Sequence, residues 1–480
     1  MIWRIAQREL AGNLLTLRFP LAAGLIVGLF LVNTLVFVGT DYRERKAAYA
    51  KQVAQAQERL RRSASNLNKL AVEGPGMLYK RPSPLSFAAG GNEKALPIAV
   101  DASRRGGWGW ADQKFSYNWT DPWALKYPYQ SSRSNTLLRV FLEIDWAFII
   151  GVVVSFVAVA FTYDAVCGER EAGTLRLTLS APVPRDVVLL GKWIGAFLSV
   201  ALPTVLGMAL SLLIVLLSGQ VELSAEEWAR TGLIGMFSLV YVALFVSLGL
   251  FVSARCRRSA TGLLTLLFIW VVFVVLVPNT LGSVAAGLAK IPSGKVFNQQ
   301  VKLAVEERTR PGGLYDASPS EAQPKREALD RWARYLNDGV DIFSRMADGH
   351  LDDQFRQVER ARTLMRVSPV AVYQYVVEAL AGTGFGRHRA FIEEARRYRD
   401  QISDFIKAAD RRDPESPHIY LVKEGLSNRP VSVQEIPPFV DRVDLGGAVA
   451  QMALDAVILL TLCVLFFACA YFAFLRYDPR

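Results

Sequence analysis

Long runs of apolar residues alternate along this chain with charged stretches. Six runs are about 20 residues or longer, the length that an α-helix needs to cross a hydrocarbon layer of ~30 Å. A soluble helix would carry a polar stripe at helical spacing, and the run LLTLLFIWVVFVVLV carries none. The pattern predicts an all-α membrane protein with six transmembrane helices, at residues 19–39, 141–163, 187–217, 232–254, 260–281 and 447–474.

The first 18 residues form a different pattern ahead of the first apolar run. Apolar residues recur there at intervals of three and four: Trp3, Ala6, Leu10, Leu14 and Leu17. We predict an amphipathic helix that lies in the membrane interface at residues 1–18, with a merely solvated leader as the alternative. The apolar run that follows is too long for the core of a cleaved signal peptide.

Charges on the short loops predict the orientation, because Lys and Arg are retained on the cytoplasmic side. The loop ARCRRSA after the fourth run is basic, whereas SGQVELSAEEWAR after the third run is mostly acidic. With six spans, both termini then face the cytoplasm, as do the segment 164–186 and the tail 475–480. Two large insertions, 40–140 and 282–446, are predicted to be extracytoplasmic.

Both insertions are predicted to be mostly helical. The stretch YRERKAAYAKQVAQAQERLRRSASNLNKLAV, which begins at Tyr42, is rich in good helix formers. The second insertion repeatedly places apolar residues three and four positions apart. Within it, SPVAVYQYVVEALAGTG opens on Ser-Pro and ends at Gly382, which is typical of a capped helix. That helix is too short and too charged at its ends to be a seventh span.

The first insertion is basic and rich in tryptophan. Basic residues outnumber acidic residues there roughly two to one, which favours attraction to anionic lipid headgroups. No helix-turn-helix or zinc-finger pattern accompanies the charge, so we predict no nucleic-acid partner. The cluster Trp108, Trp110, Trp119 and Trp123 predicts an interfacial aromatic belt, with a surface that contacts cargo or an outer partner as the alternative.

Residue types that carry catalysis are scarce. The three histidines are not at metal-ligand spacing, the four cysteines form no CxxC pair, and HExxH, GxSxG and Walker A motifs are absent from the sequence. We therefore predict no catalytic residue, no metal site and no cofactor bound by this chain. An enzyme is the least favoured of the function classes.

Four charged residues fall within or beside the apolar runs, where charges are costly and often functional. Glu143 and Asp145 flank the second run and are predicted either to sit in the interface or to line a substrate path. Lys192 is predicted to extend its ammonium from the third run toward water. Asp455 lies about two turns into the sixth run, and it either forms a helix–helix hydrogen bond or has a substrate-path or gating role.

The loop between the second and third runs has an unusual sequence, GEREAGTLRLTLSAPVPR, at residues 168–185. Gly173 can adopt the left-handed conformation that ends a helix, and Thr174 can cap a new short helix. Pro182 and Pro184 prevent that helix from continuing. We predict a rigid knob at 174–181 that suits a groove on another protein, with an amphipathic turn on the bilayer surface as the alternative.

This loop resembles the E-R-E-x-G-T-L-x-x-L-L-S-x-P-[VI]-x-R signature of ABC type-2 permeases, the membrane subunits of bacterial ABC exporters. In that family the segment is the coupling helix region, which docks on a separate ATPase subunit. The resemblance implies these ATPase-coupling residues: Glu169, Arg170, Glu171, Gly173, Thr174, Leu175, Ser180, Pro182 and Arg185.

The resemblance also implies the surroundings of the chain. We expect a permease subunit in the bacterial inner membrane that pairs with a second permease, identical or related, and with a cytoplasmic ABC ATPase dimer that binds ATP and Mg²⁺. It would couple ATP hydrolysis to export or extraction of a substrate. The large insertions resemble those of permeases linked to gliding motility and to nitrous-oxide-reductase maturation. They leave open a second role, a non-transporting scaffold or mechanotransmitter that links the ATPase to an envelope partner.

Overall fold

The computed structural model describes residues 2–91, 93, 96–102, 124–126, 144–175, 183–281, 291–309, 326–420 and 425–476. Within this part of the chain the main helices are α1 (Ile2–Leu14), α2 (Arg18–Ser63), α3 (Leu67–Glu73), α4 (Trp146–Glu171), α5 (Arg185–Leu217), α6 (Ala225–Arg255), α7 (Ser259–Leu281), α8 (Gly294–Thr309), α9 (Arg326–Met365), α10 (Pro369–Ala381), α11 (Phe385–Asp410) and α12 (Leu445–Leu475).

Six of these helices are long and apolar enough to cross a membrane, namely α2, α4, α5, α6, α7 and α12. They confirm the six predicted spans. Helix α6 lies at the centre of the bundle, where Tyr241, Leu244 and Leu250 are fully buried. Helices α7 and α12 lie at the periphery, where few of their residues are fully buried. We call the end of the bundle that carries Gly173 the coupling end, and the end that carries the two insertions the insertion end.

The first insertion begins as a continuation of span α2. A π-helical turn at Phe37–Asp41 joins the apolar part of α2 to its charged part, Tyr42–Ser63, where the sequence predicted a helix. A small antiparallel sheet follows, in the order β1 (Met77–Tyr79), β2 (Ala99–Asp101) and β3 (Ala124–Lys126). The sequence did not predict this sheet, because three-residue strands are too short to show an alternating pattern. The tryptophan cluster lies outside the described residues.

The second insertion is built on an antiparallel pair of helices, α9 and α11. Ion pairs join their facing surfaces, including Arg396 Nη1 with Asp352 Oδ1 at 2.8 Å and Arg399 Nη2 with Asp348 Oδ2 at 3.0 Å. Phe355 of α9 also packs edge-on against the first residue of α11. Because the pair is antiparallel, the end of α9 and the start of α11 both lie beside the spans.

Helix α10 connects this pair and is buried among α4, α6 and α12. It begins at the predicted Ser-Pro, with Ser368 as the N-cap, and ends at Gly382 in the left-handed conformation with φ +69°. Tyr373 stacks on Tyr241 of α6 with ring centroids 4.5 Å apart, and the two hydroxyls of Tyr373 and Ser238 lie 2.9 Å apart. The insertion therefore sends a short helix into the transmembrane bundle, which the sequence did not predict.

Two spans change their winding where they meet α10. Helix α4 has a π-helical turn at Ile149–Val154, and α7 has one at Val271–Leu276. Such turns free backbone carbonyls from the helical ladder. The Tyr241 hydroxyl donates to the Gly151 carbonyl at 2.8 Å, and the Ser368 hydroxyl donates to the Phe273 carbonyl. The π turns thus supply acceptors at the surface that surrounds α10.

Candidate coupling site

The described part of the predicted coupling segment is the turn that follows span α4. The last turn of α4, Cys167–Glu171, ends at Gly173, whose φ is +75°. That is the left-handed value predicted from the sequence, and a residue with a Cβ would be strained there. Thr174 donates from its hydroxyl to the carbonyl of Glu169 at 3.3 Å. The rest of the predicted 174–181 knob, with Ser180 and Pro182, lies outside the described residues.

Glu171 connects the segment to span α7. Its Oε2 accepts hydrogen bonds from the backbone N–H of Ser259 at 3.0 Å and from the Ser259 hydroxyl at 2.7 Å. Ser259 is the first residue of α7, and the N-cap residue Arg258 provides no side-chain cap. The carboxylate therefore satisfies a free amide at the positive end of the α7 dipole. The end of α4 and the start of α7 are thus joined.

Glu169 connects the segment to α1 and α5 through one buried lysine. The ammonium of Lys192 lies 2.8 Å from Glu169 Oε1 and 2.8 Å from Glu9 Oε1. The Lys192 side chain is only 2% exposed. The prediction that Lys192 extends toward water is therefore wrong, because two carboxylates compensate its charge inside the protein.

Helix α1 lies against α5 rather than standing apart from the bundle. A Cβ on Gly191 would come within 2.6 Å of Ile5, and one on Gly195 within 2.5 Å of Glu9. Ala6 is buried in this contact. Other members of the predicted apolar stripe, Trp3 and Leu17 among them, remain exposed. Helix α1 is thus packed against α5, and its exposed apolar side chains fit the predicted helix at the membrane surface.

Three further contacts fix the segment to the remaining spans. The Ser253 hydroxyl of α6 accepts from the backbone N–H of Val166 at 3.0 Å and of Cys167 at 3.2 Å. Leu175 is fully buried. Beyond the undescribed residues, Arg185 Nη1 donates to the carbonyl of Leu475 at the end of α12, at 2.8 Å. Arg170, half-exposed, also lies on this turn.

Of the charged residues predicted for a substrate path, Asp145 and Asp455 have different hydrogen-bond partners. Asp145 is the N-cap of α4, and it accepts from the backbone N–H of Phe148 and of Gly90, each at 2.7 Å. Asp455 binds Arg366, with Oδ1 2.6 Å from Nε and Oδ2 3.3 Å from Nη2. Glu143 lies outside the described residues. Among the described residues, no group of acidic, histidine and cysteine side chains is arranged to hold a metal ion.

Sequence reasoning missed Glu9, Ser253 and Ser259 as partners of the segment. Each is separated from its partner by more than 80 residues along the chain, so no local pattern connects them. One usable signal was present. A lysine inside an apolar run beside two glycines, Gly191 and Gly195, indicates a close helix contact in which the charge can find a partner.

The described part of the segment contacts several helices. The turn after α4 contacts α6 and α7 directly and α5 through Lys192, which also binds Glu9 of α1. Arg185, the first residue of α5, joins that helix to α12. A force on this turn would therefore act on most of the bundle at once.

Comparison with known proteins agrees with this architecture. The chain matches the sequence profile of the ABC-2 family transporter proteins over residues 3–479. It is 35% identical over 121 residues to a probable ABC transporter permease protein NosY of Pseudomonas aeruginosa, and 33% identical over 120 residues to that of Stutzerimonas stutzeri. These alignments cover 25% of this chain and 44% and 43% of the two relatives, so the chain spans less than half of their length. With a whole-chain family match and six membrane-spanning helices, the chain is a multi-pass membrane protein that belongs to the ABC-2 family of transporter proteins.

Proposed function

We propose that this chain is the permease subunit of an ABC transporter and that residues 167–185 dock on a separate ATPase. The ATPase would bind ATP and Mg²⁺, and its closure would move the docked segment and rotate the spans as rigid bodies. The cargo would be exported across, or extracted from, the bacterial inner membrane, with the coupling end facing the cytoplasm. A second permease, identical or related, would complete the complex.

The observation that carries this proposal is the way the turn is held. An element that passes on the motion of a partner must be rigid itself and firmly joined to what it moves. Glu169 and Glu171 on this turn make charge-assisted hydrogen bonds to α5 and α7, which are stronger than neutral ones. Family membership supports an ATPase partner, because the relatives are named as permease components of ABC transporters.

The turn can be tested by comparing two glycines. Gly173 and Gly219 both have positive φ, +75° and +64°, and a Cβ on either would meet no atom within 4 Å. Gly173 lies at the coupling end, and Gly219 lies between α5 and α6 at the insertion end. Proline is restricted to φ near −65°, so Gly173→Pro and Gly219→Pro disrupt equivalent turns on opposite faces.

The expected result is a difference between the two faces. Gly173→Pro should abolish co-purification with the ATPase encoded beside this chain and should remove stimulated ATP hydrolysis. Gly219→Pro should retain both at near the wild-type level. Size-exclusion profiles of the two variants show whether each chain remains folded. If both folded variants bind the ATPase equally well, the coupling segment lies elsewhere and the proposal is wrong.

A second candidate function is that of a mechanotransmitter, and the burial of α10 favours it. Val372, Val376 and Leu380 of this helix are fully buried against the surrounding spans. Helix α10 thus occupies the interior of the bundle in a single chain, and a cargo path would have to pass along the surface of the bundle or between two chains. A transmitter to an envelope partner needs no path. Cargo-dependent stimulation of ATP hydrolysis in proteoliposomes would favour the transporter over the transmitter.

A further inference from the structure

Span α12 is tied to other elements near both of its ends. At the coupling end, Arg185 Nη1 donates to the Leu475 carbonyl at 2.8 Å. Toward the insertion end, Arg366 donates to both oxygens of Asp455, from Nε at 2.6 Å and from Nη2 at 3.3 Å. Asp455 and Leu475 are 20 residues apart on one uninterrupted α-helix, which corresponds to about 30 Å.

The bond between Arg366 and Asp455 is well suited to transmit movement. The Asp455 side chain is 2% exposed and that of Arg366 is 23% exposed, so water does not replace their bond easily. A planar guanidinium that meets both carboxylate oxygens fixes orientation as well as distance. Arg366 lies in the turn between α9 and α10, so a displacement of Asp455 acts on both of these helices.

A second contact reinforces this tie one turn away. A Cβ on Gly386, near the start of α11, would lie only 2.2 Å from Gln451 Oε1 of α12. Gln451 and Asp455 are four residues apart and therefore lie on the same face of α12. The opposite side of α12 is open, with Leu454, Val457 and Val464 exposed. Span α12 thus packs against α6 and α10 on one side, contacts the second insertion near its start, and is open on the other side.

Spans α2 and α7 are the competing routes, since each also runs from the coupling end into an insertion. The coupling-end contacts of all three spans, Arg18–Asp164, Glu171–Ser259 and Arg185–Leu475, are exposed, so they do not distinguish the routes. Helix α2 is interrupted by a π-helical turn at Phe37–Asp41 and α7 by one at Val271–Leu276, whereas α12 is a continuous α-helix. The described contacts therefore favour α12.

We propose that α12 transmits movement of the coupling segment to the second insertion, through the bond between Arg366 and Asp455. This inference rests on the proposed function and adds the route and the residues that define it. Helices α9 and α11 move with α12 when the ATPase closes, and the rest of the chain follows the bundle.

The test measures a distance in the full complex. Spin labels are placed at Arg397→Cys on α11 and at Glu222→Cys on the α5–α6 loop, both exposed positions, in a chain whose four native cysteines are serines. Trapping with ATP and vanadate should shift this distance in the otherwise unchanged chain. The paired neutral variant Arg366→Gln with Asp455→Asn should lose at least two thirds of the shift while ATP hydrolysis continues. The control Arg18→Gln should keep the full shift.

A second measurement needs no ATPase. In nanodiscs, Arg185→Gln should raise hydrogen–deuterium exchange in residues 366–388 at least threefold, and Arg18→Gln should not. In the Arg366→Gln, Asp455→Asn background, Arg185→Gln should add no further increase. A full distance shift in the paired neutral variant, or equal exchange in Arg185→Gln and wild type, overturns the inference. Failure of the ATPase to bind at all counts instead against the proposed function, and the exchange measurement then decides this inference alone.

Discussion

Each end of the bundle contains a largely buried ion pair, and the two pairs differ in their cation and in their geometry. At the coupling end, the Lys192 ammonium meets Glu9 and Glu169 and joins α1, α4 and α5. At the insertion end, the Arg366 guanidinium meets both carboxylate oxygens of Asp455, through Nε and Nη2. An ammonium is a point charge whose three donors can rotate among partners, whereas a guanidinium fork imposes one orientation.

The difference teaches how charge chemistry suits position. Under the proposed function, the coupling end accepts a docking partner and moves with it, and a point charge tolerates small shifts of either carboxylate. The insertion end then passes direction as well as displacement to α9 and α10, which a two-point bond can do. The loop that resembles the family signature lies at the coupling end, beside the Lys192 ammonium. The Arg366–Asp455 bond lies at the insertion end, where the sequence shows no family signature.

The largest effect is expected from removing the buried ammonium. Lys192→Met leaves Glu9 and Glu169 without their common cation, and breaking a buried pair on one side costs about 3–5 kcal/mol. Because both glutamates are about one-quarter exposed, we expect the lower end, ~3 kcal/mol. Thermal unfolding in nanodiscs measures it. Lys46→Met, which removes an exposed bond to the Gln220 carbonyl, is the control and should lose less than ~1 kcal/mol. Similar losses for the two variants would contradict the comparison.

The next largest effect is a pH dependence of stability that comes from Glu378 at the insertion end. Burial raises the pKa of Glu378 to about 7, and nearby Arg362 and a hydrogen bond from Gln374 offset only part of this. The folded chain then holds this proton more tightly than the unfolded chain, whose value is near 4.5. The stabilisation is therefore complete below about pH 4.5 and is lost as pH rises toward 7.

A matched substitution isolates this dependence from other titrations. His388 acts in the opposite direction, because burial, with Lys80 and Arg387 nearby, lowers its pKa to about 3, and its neutral form costs stability as pH falls below 6.5. The stability difference between wild type and Glu378→Gln should nevertheless fall by about 3 kcal/mol between pH 4.5 and 7. A flat difference for Glu378→Gln would show that this carboxyl is not buried.

The sequence alone predicted those features that follow from the type of residue, without reference to distant partners. Long, mostly apolar runs predicted the six spans, because a helix is one of the few structures that can cross hydrocarbon. Gly173 was predicted to be left-handed and Gly382 to end a helix, and glycine reaches positive φ without strain; both have positive φ. The sidedness of the insertions and the role of the knob at 174–181 stay predictions.

The sequence was insufficient where a residue's environment depends on distant partners. Lys192 and Glu9 are 183 positions apart, so the burial of the lysine could not be read from the third apolar run. The same holds for α10, whose apolar face fits either a soluble domain or the interior of the bundle. The π-helical turn at Ile149–Val154, which contacts α10, has no residue signature.

The smallest effect concerns how tightly the spans are packed at each end. In α6, a Cβ on Gly249 would lie 1.8 Å from Thr162 Oγ1 and 2.6 Å from Thr162 Cβ, just above the coupling turn. In α4, a Cβ on Gly151 would lie 2.9 Å from a methyl group of Val370 at the insertion end. Gly235 of α6 has no atom within 4 Å of that position. Alanine at these three positions therefore probes a rigid contact, a yielding contact and open space.

Gly249→Ala should lower stability by ~2 kcal/mol, because Thr162 is buried, holds the Ala158 carbonyl through its hydroxyl and cannot move aside without shifting α4. Gly151→Ala should cost ~1 kcal/mol or less, since one methyl group of Val370 can give way. Gly235→Ala should be neutral or should stabilise by up to ~1 kcal/mol, the gain in helix propensity. Thermal unfolding of the three variants ranks them. A larger loss of stability for Gly151→Ala than for Gly249→Ala would contradict the comparison, because it would show that the packing at the insertion end is the more rigid.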